Sequence, residues 1–218
     1  MRLSRVVAVV VAALASAVAA PDDAHDAGGA VPFYVSKTRK GKTHPDAIFV
    51  RWAFDAWSKA SNGKLQFVEV DTESDAPIRV DWAGRNNRKY GEMRVTEVDG
   101  KRGAEVFINT STEGLGADVH ARAMRDRLFR DSVVFLTCVH EIGHALGLSH
   151  TANFADIMYS FHYGGDVESY FQRYRRQVKK REQMRERSPL SENDIARLRA
   201  LYHGATDPSL TSAGSGGS

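Results

Sequence analysis

The chain has 218 residues, 42% of them hydrophobic and 26% charged, with 30 Lys and Arg against 27 Asp and Glu. That length can bury one sizeable core, and a net charge of only +3 gives no support for nucleic-acid binding. The single cysteine, Cys138, excludes an internal disulfide, so packing has to hold the fold.

Residues 1–20 read as a cleaved targeting segment. Arg2 and Arg5 form a basic start, Val6 to Ala15 is almost all Val and Ala, and Ala17-Val18-Ala19 is a small-residue cleavage site. The apolar run is short for a membrane span. The expectation is an exported chain, secreted or periplasmic, without a stable membrane anchor; an uncleaved anchor is the alternative. Losing Arg2 and Arg5 takes the 30 basic residues to 28 against 27 acidic, and the net charge from +3 to +1. Residues 21–30, with Asp22, Asp23 and Asp26, read as a linker or a short pro-segment.

A domain over residues 31–204 follows. Val31 to Val35 predicts a first strand. Asp46 is placed to cap a helix over residues 46–61, in which Ile48, Phe49, Trp52, Ala53, Ala56 and Trp57 recur at helical spacing. Leu65 to Val70 and Pro77 to Trp82 predict two more strands. Gly91 to Val98 and Ala104 to Asn109 predict another pair around Asp99-Gly100. Ala121 to Arg130 reads as a helix, and Asp131 or Ser132 as the cap of the next one. That helix runs through the apolar Val133, Val134, Phe135, Leu136 and Val139, with Cys138 expected as a buried thiol.

The end of that helix carries His140-Glu141-Ile142-Gly143-His144. Residues four apart on a helix are offset by about 40° and about 6 Å, so two imidazoles can grip one ion from the same face. His150 would point elsewhere if the helix continued. Gly147 can take the positive φ that ends the helix sharply and lets His150 swing back as a third ligand. Three neutral imidazoles on Zn²⁺ leave one position open, the arrangement of a catalytic zinc. Glu141 beside the first ligand suits a general base.

Asp156-Ile157-Met158-Tyr159 lies eight residues beyond His150, where a methionine turn completes the metzincin signature. On these residues the chain resembles a metzincin metallopeptidase, more narrowly a matrixin-like one of bacterial type. Ala53 to Ser58 with Leu65 to Val70, and Leu190 to Ile195 with Leu201-Tyr202, are also similar to matrixins. The resemblance implies an α+β fold with a twisted mixed sheet of about five strands, a zinc-bearing helix and a small C-terminal helical subdomain. It also implies that His140, His144 and His150 hold zinc, that Glu141 is the base, and that Met158 forms a floor under the metal. An edge strand would line the cleft and pair with the substrate backbone, and Ala104 to Asn109 is the candidate. The segment after the methionine turn would wall the pocket for the substrate side chain next to the cut bond.

Residues 159–187 are the least family-like stretch. Gly164-Gly165-Asp166 opens a helix in which Tyr170, Phe171 and Tyr174 sit among Arg173, Arg175, Arg176, Lys179, Lys180 and Arg181. It reads either as a solvated helix with one packed edge or as a basic insertion that reshapes the pocket, favours acidic substrates or rests on an anionic surface. Tyr159 reads as structural. Ser191 to Asp194 is a capping box for a last helix, and residues 205–218 read as a flexible Ser/Gly tail. His120 and Asp118 lack partners for a second zinc, so one Zn²⁺ is expected; Ca²⁺ stays open because its oxygen ligands leave little sequence trace. The function expected is an exported zinc endopeptidase, a monomer acting on protein or peptide. A secreted zinc-containing binding protein with vestigial catalysis and a zinc hydrolase of a non-peptide bond are the alternatives.

Overall fold

The computed structural model describes residues 30–38, 40–83, 90–98 and 100–203. The expected targeting segment, nearly all of the linker and the Ser/Gly tail lie outside the described residues. The fold is α+β. Its sheet has strands β1 (Val31–Val35), β2 (Phe67–Glu69), β3 (Ile78–Trp82), β4 (Gly91–Val98) and β5 (Lys101–Ile108), in the order β2-β1-β3-β5-β4. The pairs β1–β2, β1–β3 and β3–β5 are parallel; only β4 runs antiparallel, on β5. The alternation in β3 is legible in burial, with Ile78 and Val80 buried and Arg79 and Asp81 less so.

This order corrects one expectation. The residues from Ala104 belong to β5, which is hydrogen-bonded on both sides, so they cannot offer a free edge. The edge strand on that side is β4, where Arg94, Val95 and Glu97 are exposed. A hairpin puts two strands side by side but does not say which of them faces outward; the parallel pairing of Ile78 to Trp82 with Ala104 to Ile108 decides it.

Helix α1 (Ala47–Ala60) and the long helix α3 (Arg127–Ala145) pack on each other and against the sheet. Trp57, fully buried, donates from Nε1 to the Val139 carbonyl at 2.9 Å and cross-links the two helices. Asp46 stands at the start of α1 but makes no side-chain cap. Its buried carboxylate instead takes both terminal guanidinium nitrogens of Arg130, at 2.6 and 2.7 Å, and Arg181 at 3.2 Å. A buried carboxylate is stabilised more by such a bidentate partner than by one peptide N–H.

The start of α3 also differs from the expectation. Helix α2 (Ala117–Arg125) breaks at Asp126, whose carboxylate accepts from Phe129 N at 3.0 Å and so caps α3 itself. Asp131 and Ser132 lie inside the helix and are buried: Asp131 faces Arg130 and Arg181, and Ser132 donates to the Leu128 carbonyl. The helix is therefore more than a turn longer than its apolar run, because its first turn is amphipathic rather than apolar.

Beyond the methionine turn come α4 (Val167–Arg175), the short α5 (Gln183–Glu186) and α6 (Glu192–His203). Asp166 caps α4 by accepting from Ser169 N at 2.6 Å. Tyr170, Phe171 and Tyr174 are buried, so α4 is a packed element of the core. Most of its neighbouring cations turn to specific partners: Arg175 meets Asp126 at 2.9 Å, Arg181 meets Asp46 and Asp131, and Arg185 meets Asp55 at 3.1 Å. Arg176, Lys179 and Lys180 remain exposed.

Candidate metal centre and cleft

Everything in the site hangs from the buried half of α3. His140 and Glu141 are each 5% exposed, on a helix whose residues Val133 to Ile142 are all buried. Leu146 ends the helix, and Gly147, at φ 91°, turns the chain while Leu148 N donates back to the Gly143 carbonyl at 3.0 Å. This reversal is the positive-φ turn required to bring His150 onto the same centre as His140 and His144.

The three Nε2 atoms converge: His140 to His144 is 3.1 Å, His144 to His150 is 3.1 Å and His140 to His150 is 3.2 Å. On His140, Nδ1–H donates to the Ile157 carbonyl at 2.7 Å; on His144, Nδ1–H donates to the Leu148 carbonyl at 2.8 Å. A carbonyl only accepts, so each bond fixes the proton on Nδ1 and leaves Nε2 as a lone pair. Two such lone pairs cannot hydrogen-bond each other. Their convergence is repulsive unless a cation lies between them, and Zn–N bonds of 2.0–2.1 Å at tetrahedral angles place the nitrogens about 3.3 Å apart. The residues present fit zinc.

Electrostatics point the same way. Burial pushes His140 well below the ordinary histidine value, with His144 and His150 adding to the effect. Burial, then His150, takes His144 down to about 4, and burial lowers His150. All three are neutral ligands at neutral pH.

Met158 is fully buried, and its Sδ lies where a Cβ on Gly143 would approach within 2.5 Å; the same Cβ would lie 2.9 Å from the Trp57 ring. A side chain larger than glycine at 143 would press on both Met158 and Trp57, a requirement the spacing of the motif does not announce. The turn that presents Met158 is held from outside. Asp194, fully buried near the start of α6, accepts from Ile157 N at 2.8 Å and Met158 N at 3.4 Å. It also exchanges bonds with Ser191 in the expected capping box. Asp156, equally buried, takes Ser191 Oγ at 2.7 Å and Asn193 Nδ2 at 2.6 Å. Tyr170 donates to the carbonyls of Asp156 and Ile157, the latter also holding His140. Tyr159 is buried and donates to the Gly164 carbonyl at 2.8 Å, a structural contact.

Above the centre stands β4. A Cβ on Gly91 would lie 2.4 Å from Glu141 Oε1, so the first residue of the edge strand rests against that carboxylate. Of the residues singled out in sequence, His140, His144, His150, Glu141, Gly147 and Met158 are brought together here. Cys138 is buried in the core, its thiol pushed well up by burial. His120 stands apart, with Nδ1 at 3.0 Å from Thr112 Oγ1. Gly91, Gly143, Asp156, Asp194 and Tyr170 are the contributors sequence reasoning did not assign to the site.

The matrixin family profile, a peptidase family, matches residues 33–203. Among curated relatives, the chain is 28% identical over 159 residues to interstitial collagenase of Sus scrofa, covering 72% of this chain and 28% of that relative. It is 33% identical over 133 residues to matrix metalloproteinase-15 of Homo sapiens, covering 56% of this chain and 19% of the relative. A probable matrix metalloproteinase 095L of Invertebrate iridescent virus 3 is 31% identical over 116 residues. The chain thus spans under a third of the length of these relatives.

Proposed function

The chain belongs to the matrixin family, and from that premise we propose that it is an exported zinc-dependent endopeptidase. His140, His144 and His150 would hold one zinc ion through Nε2, with Gly147 and Met158 as support. Zinc held there supplies Lewis acidity toward a water and the scissile carbonyl. Glu141 takes the proton of the attacking water and delivers it to the leaving nitrogen. Its burial beside the histidines and beneath Gly91 supports that role, because a carboxylate fixed there shuttles protons without reorganising. The free edge of β4, starting above Glu141, offers main-chain N–H and C=O groups to an extended peptide by strand addition, which favours a peptide over a non-peptide bond. No helix of the described residues is long and apolar enough to cross a membrane; export itself is supported by the composition of residues 1–20. A monomer is part of the same reading.

One observation carries this proposal: three Nε2 atoms within 3.2 Å of one another, with Glu141 the next residue after the first of them. The test incubates the zinc-loaded chain with an unfolded protein, beside Glu141→Ala and a chelated sample. Cleavage by the parent, lost on chelation and restored by zinc, is the expected result. Glu141→Ala should keep its zinc and lose about 10² to 10⁴ in rate. A folded, zinc-loaded parent that cuts no better than Glu141→Ala would overturn the peptidase reading.

A further inference from the structure

Strands β1, β3 and β5 run parallel, so their first residues lie at one end of the sheet. The end of α3 and the end of α6 close over that end and leave a cavity of about 40 Å³. Leu65, Ile78 and Leu146, all buried, form its apolar lining together with Met93 of β4. Among the described residues, the half-buried Arg102 is the only charged one that lines it; Glu141 and the three histidines do not. Glu97, opposite Arg102 in the β4–β5 hairpin, is exposed and does not line it either. Tyr202 does, but its hydroxyl is engaged, donating to the Leu146 carbonyl at 2.9 Å and tying α6 to the end of α3. Capping α3 does not call for the arginine. The carbonyls of Ile142, Gly143, His144 and Leu146 already accept from Leu146 N, Leu148 N, Gly147 N and the Tyr202 hydroxyl.

We propose that this cavity binds a short aliphatic carboxylate, with its chain among Leu65, Ile78 and Leu146 and its carboxylate on Arg102. Size sets the chain. One water-sized group needs roughly 10–15 Å³, so the space holds about three or four, the chain of butyrate or isovalerate. Chemistry sets the head. The apolar lining stabilises the chain, and the planar guanidinium takes a carboxylate through two parallel N–H···O bonds. A cation among apolar groups is disfavoured until an anion joins it, and burial lowers the Arg102 guanidinium from its ordinary value. A free short-chain acid and the apolar C-terminal residue of a peptide both offer this chemistry. The occupant would touch Ala145 and Leu146, the two residues after His144, and Met93, two residues along β4 from Gly91. It would therefore bear on the end of the zinc helix and on the edge strand together. The site does not depend on the peptidase reading.

The test titrates the full zinc-loaded chain at pH 7 with acetate, butyrate, isovalerate and octanoate by calorimetry. Butyramide, N-acetylleucine and N-acetylleucine amide are run beside them. Butyrate is expected to bind about 15-fold more tightly than acetate, at about fourfold per methylene. The gain should stop before octanoate, and butyramide should be weaker than butyrate by about 10-fold or more. Arg102→Gln should lose that advantage of acid over amide while melting as the parent does, and Arg102→Lys should keep part of it. Met93→Ala, which enlarges the cavity, should move the preferred acid up by about one or two carbons. Saturable binding of isovalerate or of N-acetylleucine supports the site, and the tighter of the two names the source. Carboxylates also bind zinc, so the series is repeated on the chelated chain. Binding that disappears with the metal belongs to the zinc and overturns the proposal. So do acids that bind no better than their amides, an order that ignores chain length, or affinities that Arg102→Gln leaves unchanged. If Arg102→Gln fails to fold, the acid and amide comparison and Met93→Ala decide the matter.

Discussion

The two walls of the candidate site are built on different principles. The lower one, made of α3, the methionine turn and the start of α6, is buried and closed by charged hydrogen bonds: Asp194 and Asp156, both fully buried, tie α6 to the turn. The upper one is an edge strand with Arg94, Val95 and Glu97 exposed and a glycine at the point of contact. The lower wall must hold three nitrogens within tenths of an ångström of metal geometry. On the proposed reading the upper wall must stay open to a peptide, and an edge strand without a strand neighbour among the described residues serves that. Substitutions in the lower wall should therefore cost stability and zinc together, whereas those in the upper wall should cost chemistry alone.

The largest stability effect is expected from Asp194→Ala. It leaves the N–H groups of Ile157 and Ser191 without their buried acceptor, each worth about 1–3 kcal/mol. A total loss of about 3–5 kcal/mol and weaker zinc binding should be seen by denaturant melts and by competition with a chelator. Zinc affinity equal to that of the parent would separate the floor from the ligands and dissolve the contrast between the walls.

Acid acts on the same wall. In the metal-free chain His144 is held neutral down to about 4, while the unfolded chain takes up its proton near 6.5. A depressed folded value means the contribution is complete above 6.5, declines as the pH falls toward 4 and is gone below it. His140 shifts in the same direction. The chelated chain should lose roughly 3 kcal/mol from His144 over that window, measured as melting temperature at pH 7 and pH 4.5. A flat profile would mean the histidines are solvated without metal.

Gly143→Ala comes next. Its Cβ would lie 2.5 Å from Met158 Sδ and 2.9 Å from Trp57. Met158 is flexible and Trp57 is not, so about 1–3 kcal/mol of overpacking is expected, with Met158 pushed toward the histidines and zinc bound less tightly. A neutral melt would show that the floor has slack.

What the sequence disclosed divides along the same line. His140, His144 and His150 were legible because helical periodicity and one glycine turn are local geometry, and Gly147 at φ 91° is that turn. Met158 was legible through the family signature. Gly143 and Gly91 were not, because what requires them is Trp57, Met158 or Glu141 arriving from elsewhere in the chain. Asp194 was readable as half of a capping box, but its second use, on the turn 36 residues earlier, is a tertiary fact. The edge strand was misassigned for a related reason: which member of the hairpin faces outward depends on a parallel pairing with β3. Asp126 was missed as the cap of α3 because three polar candidates precede one apolar run, and local preference does not rank them when Asp131 is claimed by the distant Arg181 and Ser132 bonds back to the Leu128 carbonyl within the helix.

The smallest stability effect, and the sharpest test of the contrast, belongs to Gly91→Ala. The added Cβ would stand 2.4, 2.6 and 2.8 Å from Oε1, Cγ and Cδ of Glu141, so the carboxylate or the strand end must move. Gly91 is half-buried at the first position of an edge strand and has no positive φ. Alanine suits a strand better than glycine and reduces the freedom of the unfolded chain. These effects offset the local crowding, and the net change in stability should stay within about 1 kcal/mol. Zinc content should match the parent, because the three atoms nearest that Cβ all belong to Glu141 and none to a histidine. Turnover should nevertheless fall 10- to 100-fold, since a small misplacement of a proton-transferring group has a cost of that order. Gly91→Ala measured for melting temperature, zinc stoichiometry and kcat/KM thus places all three readouts on one variant. Loss of stability or zinc alongside activity would mean that the upper wall, too, is part of what holds the site together.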